Sequence, residues 1–97
     1  MVELRYEWDT RKSRSNKAKH GISFEEARTA FLDESARVIP DPLHSDKEER
    51  FVLIGLSVRL RVLVVCHCYR QSAQVIRIIS ARRADPSEQR EYAEWLP

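Results

Sequence analysis

Glycine and cysteine are scarce in this chain of 97 residues, which contains two of each and four prolines. This composition, with 42% hydrophobic and 33% charged residues, excludes collagen-like repeats and favours a packed fold over extended disorder. The sequence contains no internal repeat. A chain of this length is most simply a single domain, residues 1–97, with one hydrophobic core.

Long apolar runs are also absent. The longest nearly uncharged stretch, residues 62–69, is less than half of the roughly 20 residues that cross a bilayer. The N-terminal segment M-V-E-L-R-Y-E-W-D lacks the apolar stretch of a signal peptide. We therefore expect no membrane contact and a cytoplasmic location. A disulfide between Cys66 and Cys68 would restrain almost nothing, so both are expected to be reduced core residues.

Charge is unevenly distributed along the chain. The net charge of +2 is too small to indicate a nucleic-acid partner by itself. Residues 11–20 nevertheless hold five lysines and arginines and no acid, whereas residues 41–49 are mostly acidic. The basic run fits both a solvated helix face and a surface for phosphate groups, and the sequence leaves both open.

Hydrophobic periodicity predicts an α+β fold with the order β-α-α-β-β-β-β-α. The predicted strands cover residues 2–8, 36–39, 51–56, 62–69 and 75–80. The predicted helices run to about residues 19, 32 and 95, and their N-caps are Asp9, Ser23 and Asp85. Short connections predict that the last three strands are antiparallel neighbours.

Alternation along these strands separates two faces of the predicted sheet. One face is apolar and is expected under the helices; it collects Val52, Ile54, Leu56, Val62, Val64, Cys66, Ile76 and Ile78. The other face mixes apolar and polar side chains, as a shallow cleft does; it collects Leu63, Val65, Ile79, Arg61, His67, Tyr69 and Arg77.

The predicted hairpin register places His67 beside Arg77. If Tyr69 pairs with Val75, the His67 and Arg77 side chains lie opposite each other on one face. A guanidinium disfavours a charged imidazole, which suits proton transfer near neutral pH. A loop one residue shorter or longer would break this pairing.

These residue types match the needs of RNA cleavage without a metal. The reaction requires a base, an acid and positive charge beside the crowded phosphate. His67 is the candidate base or acid, Arg61, Arg77 and Arg82 are candidates to stabilise charge, and Tyr69 could stack on a base. A lone histidine in a strand is also typical of a core position, so the structural interpretation stays open.

Two other chemistries fit the sequence less well. His44 lies near Asp41 and Asp46, but their spacing matches no compact metal site, so we expect neither metal nor cofactor. Cys66 and Cys68 flank His67, but neighbouring strand residues point to opposite faces. His67 therefore could not activate either thiol without a bulge.

Several strings, taken in order, resemble the BrnT family of type II toxin–antitoxin toxins. They are E-W-D at 7–9, K-H-G-I-S-F-E-E-A at 19–27, P-D at 40–41, H-S-D-K-E-E-R at 44–50, I-G-L-S at 54–57 and I-R-I-I-S-A-R-R-A at 76–84. Together they span almost the whole chain, and the last is highly specific. Many relatives carry glycine just before the position of Arg61, where this chain has Leu60.

The resemblance implies a RelE-like ribonuclease fold, with a small antiparallel sheet and helices packed on one face. It also implies cleavage of mRNA that halts translation, and neutralisation by a BrnA-like antitoxin with a ribbon-helix-helix domain. The toxin–antitoxin complex would bind operator DNA through the antitoxin. A non-catalytic module that binds antitoxin or nucleic acid is the alternative.

Matching positions carry candidate functional residues over from the family. They are Arg61, Arg77, Arg82, Arg83, Lys19, His20 and Glu49. From these positions and from the strand and charge patterns together, we expect catalysis from Arg61, His67, Arg77 and Arg82, and RNA contacts from Lys17, Lys19, His20, Tyr69 and Arg83. His67 belongs to a pattern found in only part of the family.

Overall fold

The structure is a computed structural model that describes residues 4–41 and 48–97. The described part has the expected order of elements, with a short 3-10 helix, Ala30–Leu32, added after the second helix. The elements are β1 (Arg5–Glu7), α1 (Thr10–His20), α2 (Phe24–Thr29), β2 (Arg37–Pro40), β3 (Phe51–Leu56), β4 (Val62–Arg70), β5 (Val75–Arg83) and α3 (Pro86–Trp95). None of these helices is long and apolar enough to span a membrane.

The five strands form one mixed sheet in the order β1-β5-β4-β3-β2. Strands β2 to β5 pair antiparallel with their neighbours in sequence, but β1 pairs parallel with β5. The expectation of an antiparallel sheet was therefore wrong at this edge. Short connections fix the direction only of strands that follow one another, and the partner of β1 is the last strand of the chain.

Helix boundaries follow the predicted caps. The Asp9 carboxylate accepts hydrogen bonds at the start of α1, and Gly21, with a left-handed φ of 76°, ends that helix. Asp85 and Glu88 form a complete capping box before α3. At α2 only half of the box forms: Ser23 accepts from the Glu26 backbone, while the Glu26 side chain binds elsewhere.

Helices cover both faces of the sheet, which corrects the expectation of helices on one face. On the α2 face, Ile22, Phe24, Ala27 and Ala30 pack against Leu53, Leu63, Val65, Ile76, Ile78 and Ala81. On the opposite face, called the α3 face, Tyr92 and Trp95 pack against Val52, Ile54, Leu56, Val62 and Val64. The α1 helix lies along the edge of β5.

The faces of β5 differ from the prediction because of its register with β4. Tyr69 pairs with Ile76 rather than with Val75, so the turn between the strands is shorter than expected. A β-bulge follows between Cys66 and His67, where the pairing shifts by one residue and leaves Ile79 without a partner across the ladder. Ile76 and Ile78 consequently lie on the α2 face, because a shift of one residue exchanges the faces.

Candidate active site

A cleft of about 330 Å³ opens on the α3 face at the bulge; we call it the Arg82 cleft. Three chain segments bring basic side chains to it: the end of α1, the residue before β3 and the end of β5. Its lining residues are His20, Asp41, Arg50, Val52, Val64, Cys66, Ile79, Ser80, Ala81 and Arg82. The cleft therefore joins an apolar floor to a predominantly basic rim, an arrangement that suits a phosphate group.

Arg82 is held in a fixed orientation at this rim. It pairs across the sheet with Val64, which directs its side chain to the α3 face. Its Nη1 and Nη2 donate to the two carboxylate oxygens of Glu88 over 2.8 and 2.9 Å. Glu88 also accepts from the backbone of Asp85, so the first turn of α3 fixes the carboxylate. These hydrogen bonds raise the pKa of Arg82 and lower the pKa of Glu88.

His20 reaches the same cleft from the last position of α1. The helix ends there because Gly21 adopts a left-handed conformation that favours glycine. The His20 side chain is exposed, so it is accessible to a substrate. Because α1 lies beside β5, this histidine comes to the strand that carries Arg82.

Cys66 lies in the cleft opposite Ser80, but its thiol is not activated. Burial raises its pKa, and the positive charge of Arg50 offsets this only in part. Cys68 is almost fully buried, and burial raises its pKa as well. Thiols with raised pKa values are poor nucleophiles.

His67 is not in the Arg82 cleft. It pairs with Ile78 rather than lying opposite Arg77, and it is fully buried (0% exposed) on the α2 face. Its Nδ1 lies 3.0 Å from the carbonyl oxygen of Val65, and its Nε2 lies 3.2 Å from the hydroxyl of Tyr69. The predicted His67–Arg77 pair was wrong because the hairpin turn is one residue shorter than assumed.

The surroundings of His67 are those of a core residue. Its ring packs edge-on against Phe31, with 4.9 Å between ring centroids, and also contacts Phe51. Burial lowers its pKa, which keeps the imidazole neutral. A buried, neutral histidine without access to the cleft cannot reach an RNA 2′-hydroxyl there.

Arg61 also lies away from the cleft, on the α2 face. Its guanidinium forms an ion pair with Glu26 and donates to the carbonyl oxygen of Gly21 over 3.4 Å. Glu26 is nearly buried and also accepts from the Ser57 hydroxyl over 2.7 Å. The expected convergence of Arg61 with Arg77 and Arg82 therefore does not occur, since this guanidinium links α2 to the start of β4.

Arg77 shares the α3 face with Arg82 but is outside the cleft lining. It pairs with Cys68, and its Nη1 lies 3.6 Å from a carboxylate oxygen of Glu7 in β1. Arg70 approaches the same carboxylate at 3.7 Å. Arg77 therefore lies on the side of the cleft nearest β1, and the carboxylate of Glu7 partly neutralises its charge.

The expected RNA-binding residues occupy several places. Lys17 and Lys19 are exposed on α1, beside His20. Arg83 is exposed and pairs with Leu63, so it follows Arg82 on the other face of the strand. Tyr69 lies on the α2 face, where its hydroxyl contacts His67. Glu49, a candidate functional residue without an assigned role, is exposed directly before Arg50.

Arg50 and Ser80 are cleft residues that the sequence prediction missed. Both lie in strings that carry the family resemblance: Arg50 ends E-E-R, and Ser80 lies in I-I-S-A-R-R. The family strings therefore contained both residues. Their common position on the α3 face, however, follows from the strand register and the β-bulge. His44 and Asp46 lie outside the described residues, and within residues 4–41 and 48–97 no three His, Cys, Asp or Glu side chains cluster to hold a metal.

Comparisons with known proteins agree with the resemblance. A family model described as "Ribonuclease toxin, BrnT, of type II toxin-antitoxin system" matches residues 8–88. The crystal structure of the Brucella abortus ribonuclease toxin BrnT is similar to this chain, with 26% identity and a TM-score of 0.66 over 84% of this chain and 97% of that one. No curated protein matches. The chain belongs to the BrnT family of ribonuclease toxins of type II toxin–antitoxin systems.

Proposed function

We propose that this chain cleaves messenger RNA without a metal ion, and that the reaction takes place in the Arg82 cleft. The observation that carries the proposal is the meeting of His20, Arg50 and Arg82 around one cleft, each supplied by a different segment. Membership of a ribonuclease toxin family supports the choice of RNA as substrate. Arg82 stays a catalytic candidate, and His20, expected above only as an RNA contact, takes the place of His67 in proton transfer. Arg61 is no longer a candidate.

The chemistry uses the 2′-hydroxyl of the RNA as nucleophile. A base removes its proton, an O2′–P bond forms while the P–O5′ bond breaks, and an acid protonates the leaving O5′ oxygen. The products are a 2′,3′-cyclic phosphate and a 5′-hydroxyl end. His20 is positioned for one of the two proton transfers, and Arg82 with Arg50 stabilises the negative charge that grows on the phosphate.

The RNA backbone continues from the cleft onto the neighbouring basic side chains. Lys17 and Lys19 on α1 supply mobile positive charge, and Arg77 lies on the same face of β5 as Arg82. An RNA contact of Arg83, which points to the other face, stays a prediction. Such contacts bind phosphates regardless of sequence and weaken as salt is added. Stacking of a base on Tyr69 stays a prediction, at a position away from the cleft.

The proposed partner is a BrnA-like antitoxin with a ribbon-helix-helix domain that neutralises the toxin and carries the complex to operator DNA. A type II toxin implies an antitoxin, and a basic cleft rim would complement acidic segments of such a partner. The proposal includes a cytoplasmic location, where messenger RNA is translated. It also includes the assignment of the fold as RelE-like.

A non-catalytic binding module is the second candidate. The observation in its favour is the Arg82–Glu88 pair, since both terminal nitrogens of this guanidinium already donate to a carboxylate. A binding surface could use such a pair as a structural element only. The two candidates differ in one property, which is whether the purified chain breaks RNA.

Cleavage of RNA by the purified chain in EDTA tests the proposal. We expect fragments with 2′,3′-cyclic phosphate ends, and we expect Arg82→Ala to slow cleavage about a hundredfold. Arg90→Ala is the matched control, because Arg90 is exposed on α3 outside the cleft lining. A folded wild-type chain that leaves RNA intact would support the binding module, and cleavage abolished by EDTA would refute a metal-free reaction.

A further inference from the structure

The α1 helix is held to the sheet by polar side chains. Its sequence, T-R-K-S-R-S-N-K-A-K-H, contains one apolar residue, and its two buried residues are Ser13 and Asn16. A helix with no apolar face gains little from hydrophobic packing. Its position relative to the sheet therefore depends on hydrogen bonds.

Asn16 makes the hydrogen bonds that join α1 to β5. Its Nδ2 donates to the carbonyl oxygens of Ala81 and Ile22, both over 2.8 Å, and its Oδ1 accepts from the Ala81 backbone over 3.1 Å. The side-chain amide thus bonds both backbone groups of Ala81, as a neighbouring strand would. The paired part of β1 reaches only Arg77, so the amide acts beyond the end of that strand.

These hydrogen bonds of Asn16 lie beside the Arg82 cleft. Ala81 stands between Ser80 and Arg82, which both line it, and Asn16 precedes His20 by one helical turn. The bond to Ile22 also ties down the chain just after the end of α1. One buried amide therefore joins the helix end that carries His20 to the strand position beside Arg82.

We propose that Asn16 is a positioning residue that sets His20 against Arg82 for RNA cleavage; this inference rests on the proposed function. The position requires two donor hydrogens and one acceptor in a single planar group, which the asparagine amide supplies. Reacting groups that are misplaced by about 1 Å can lose on the order of a hundredfold in rate. Loss of the amide should therefore reduce kcat more than it reduces RNA binding.

Steady-state cleavage by Asn16→Ala, beside Ser13→Ala, tests this role. We expect kcat of Asn16→Ala to fall about 30- to 100-fold while KM changes less than about threefold. Ser13 is the matched control, because it is equally buried on α1 but accepts from the Phe24 backbone, and it is not part of the cleft lining. Ser13→Ala should keep kcat within about threefold of wild type. Equal losses of kcat in the two variants would overturn the inference.

A double-mutant cycle with His20→Ala separates positioning from a general loss of stability. If Asn16 acts by placing His20, then Asn16→Ala costs less than about threefold when His20 is already alanine. The inference would be overturned if the double variant lost the product of the two single-variant losses in kcat. It would also be overturned if His20→Ala were as active as wild type. Rates are compared under conditions in which circular dichroism shows each variant to be folded.

Asn16→Asp provides the same test if the alanine variant does not fold. Aspartate keeps the size of the side chain and the acceptor for Ala81, but its carboxylate lacks both donor hydrogens. We expect a similar loss of kcat, and wild-type kcat in this folded variant would overturn the inference. Failure of the proposed function looks different, because then the wild-type chain would be inactive or Arg82→Ala would cleave as wild type does.

Discussion

The two faces of the sheet each contain an arginine bound to a glutamate, but the pairs differ in burial. On the α2 face the Arg61 side chain is 22% exposed and Glu26 is 5% exposed. On the α3 face the Arg82 side chain is 44% exposed and Glu88 is 22% exposed. One pair lies within the packed structure and the other lies at the rim of a cleft.

The difference shows why residue type alone did not identify the site. Arg61 and His67 are of the types that RNA cleavage requires, yet their polar atoms bind Glu26, Gly21, Val65 and Tyr69 inside the fold. Arg82 is equally bound to a carboxylate, but it remains open to a ligand. Residues that stabilise the α2 face should therefore affect folding, and residues of the Arg82 cleft should affect cleavage.

Removal of Arg61 gives the largest expected effect on stability. Arg61→Ala leaves the Glu26 carboxylate with the Ser57 hydroxyl and the charge of Arg59, so the free energy of unfolding should fall by about 1–3 kcal/mol. Urea denaturation measures the change. Arg61→Met combined with Glu26→Gln removes both charges and should recover much of the loss. A loss below about 1 kcal/mol would place Arg61 among weak surface pairs.

The pH dependence of stability distinguishes the buried His67 from an exposed histidine. Burial lowers its pKa in the folded chain, so below about pH 6.5 the unfolded chain binds more protons and stability falls as pH falls. This slope reaches at most about 1.4 kcal/mol per pH unit and should disappear in His67→Phe.

Denaturation between about pH 7 and pH 5.5 measures this contribution. The pKa values of Glu26, Asp33 and Glu88 lie below those of ordinary carboxyl groups. The stability that these three groups contribute is therefore lost only at more acidic pH. Equal slopes in wild type and His67→Phe would mean that His67 is accessible to protons in the folded chain.

Leu60→Gly should have the smallest effect, and it should be stabilising. Leu60 has a left-handed φ of 61° and is 80% exposed, so its side chain adds strain and buries little. Release of that strain, reduced by the greater entropy of glycine in the unfolded chain, should add about 0.5–1 kcal/mol. Arg59, in the same turn, does not have a positive φ, so Arg59→Gly should destabilise the folded chain. A gain of stability in both variants would contradict the explanation by backbone strain at Leu60.

Local patterns in the sequence predicted the elements well, whereas the site depended on longer-range pairing. The caps Asp9, Gly21 and Asp85 mark helix ends because their hydrogen bonds and backbone angles are local. The face of each β5 residue depends instead on the length of the preceding turn and on the bulge at Ile79, and neither leaves a local signal.

Two residues of the site were nevertheless predicted from the sequence. Arg82 and His20 came from the motifs that carry the resemblance, and both line the cleft. His67 was misplaced because the assumed register put it beside Arg77, and nothing local to the sequence showed that α2 covers this face. The parallel pairing of β1 was equally hidden, since its partner lies at the other end of the chain.

The most direct test compares RNA cleavage by His67→Phe and Arg82→Lys under conditions in which both variants are folded. Arg82→Lys keeps the positive charge but loses the planar fork that binds two oxygens at once. Its single-turnover rate should fall about tenfold, less than in Arg82→Ala, while His67→Phe should stay within about threefold of wild type. A normal rate for Arg82→Lys together with a large loss for His67→Phe would contradict the assignment of the reaction to the Arg82 cleft.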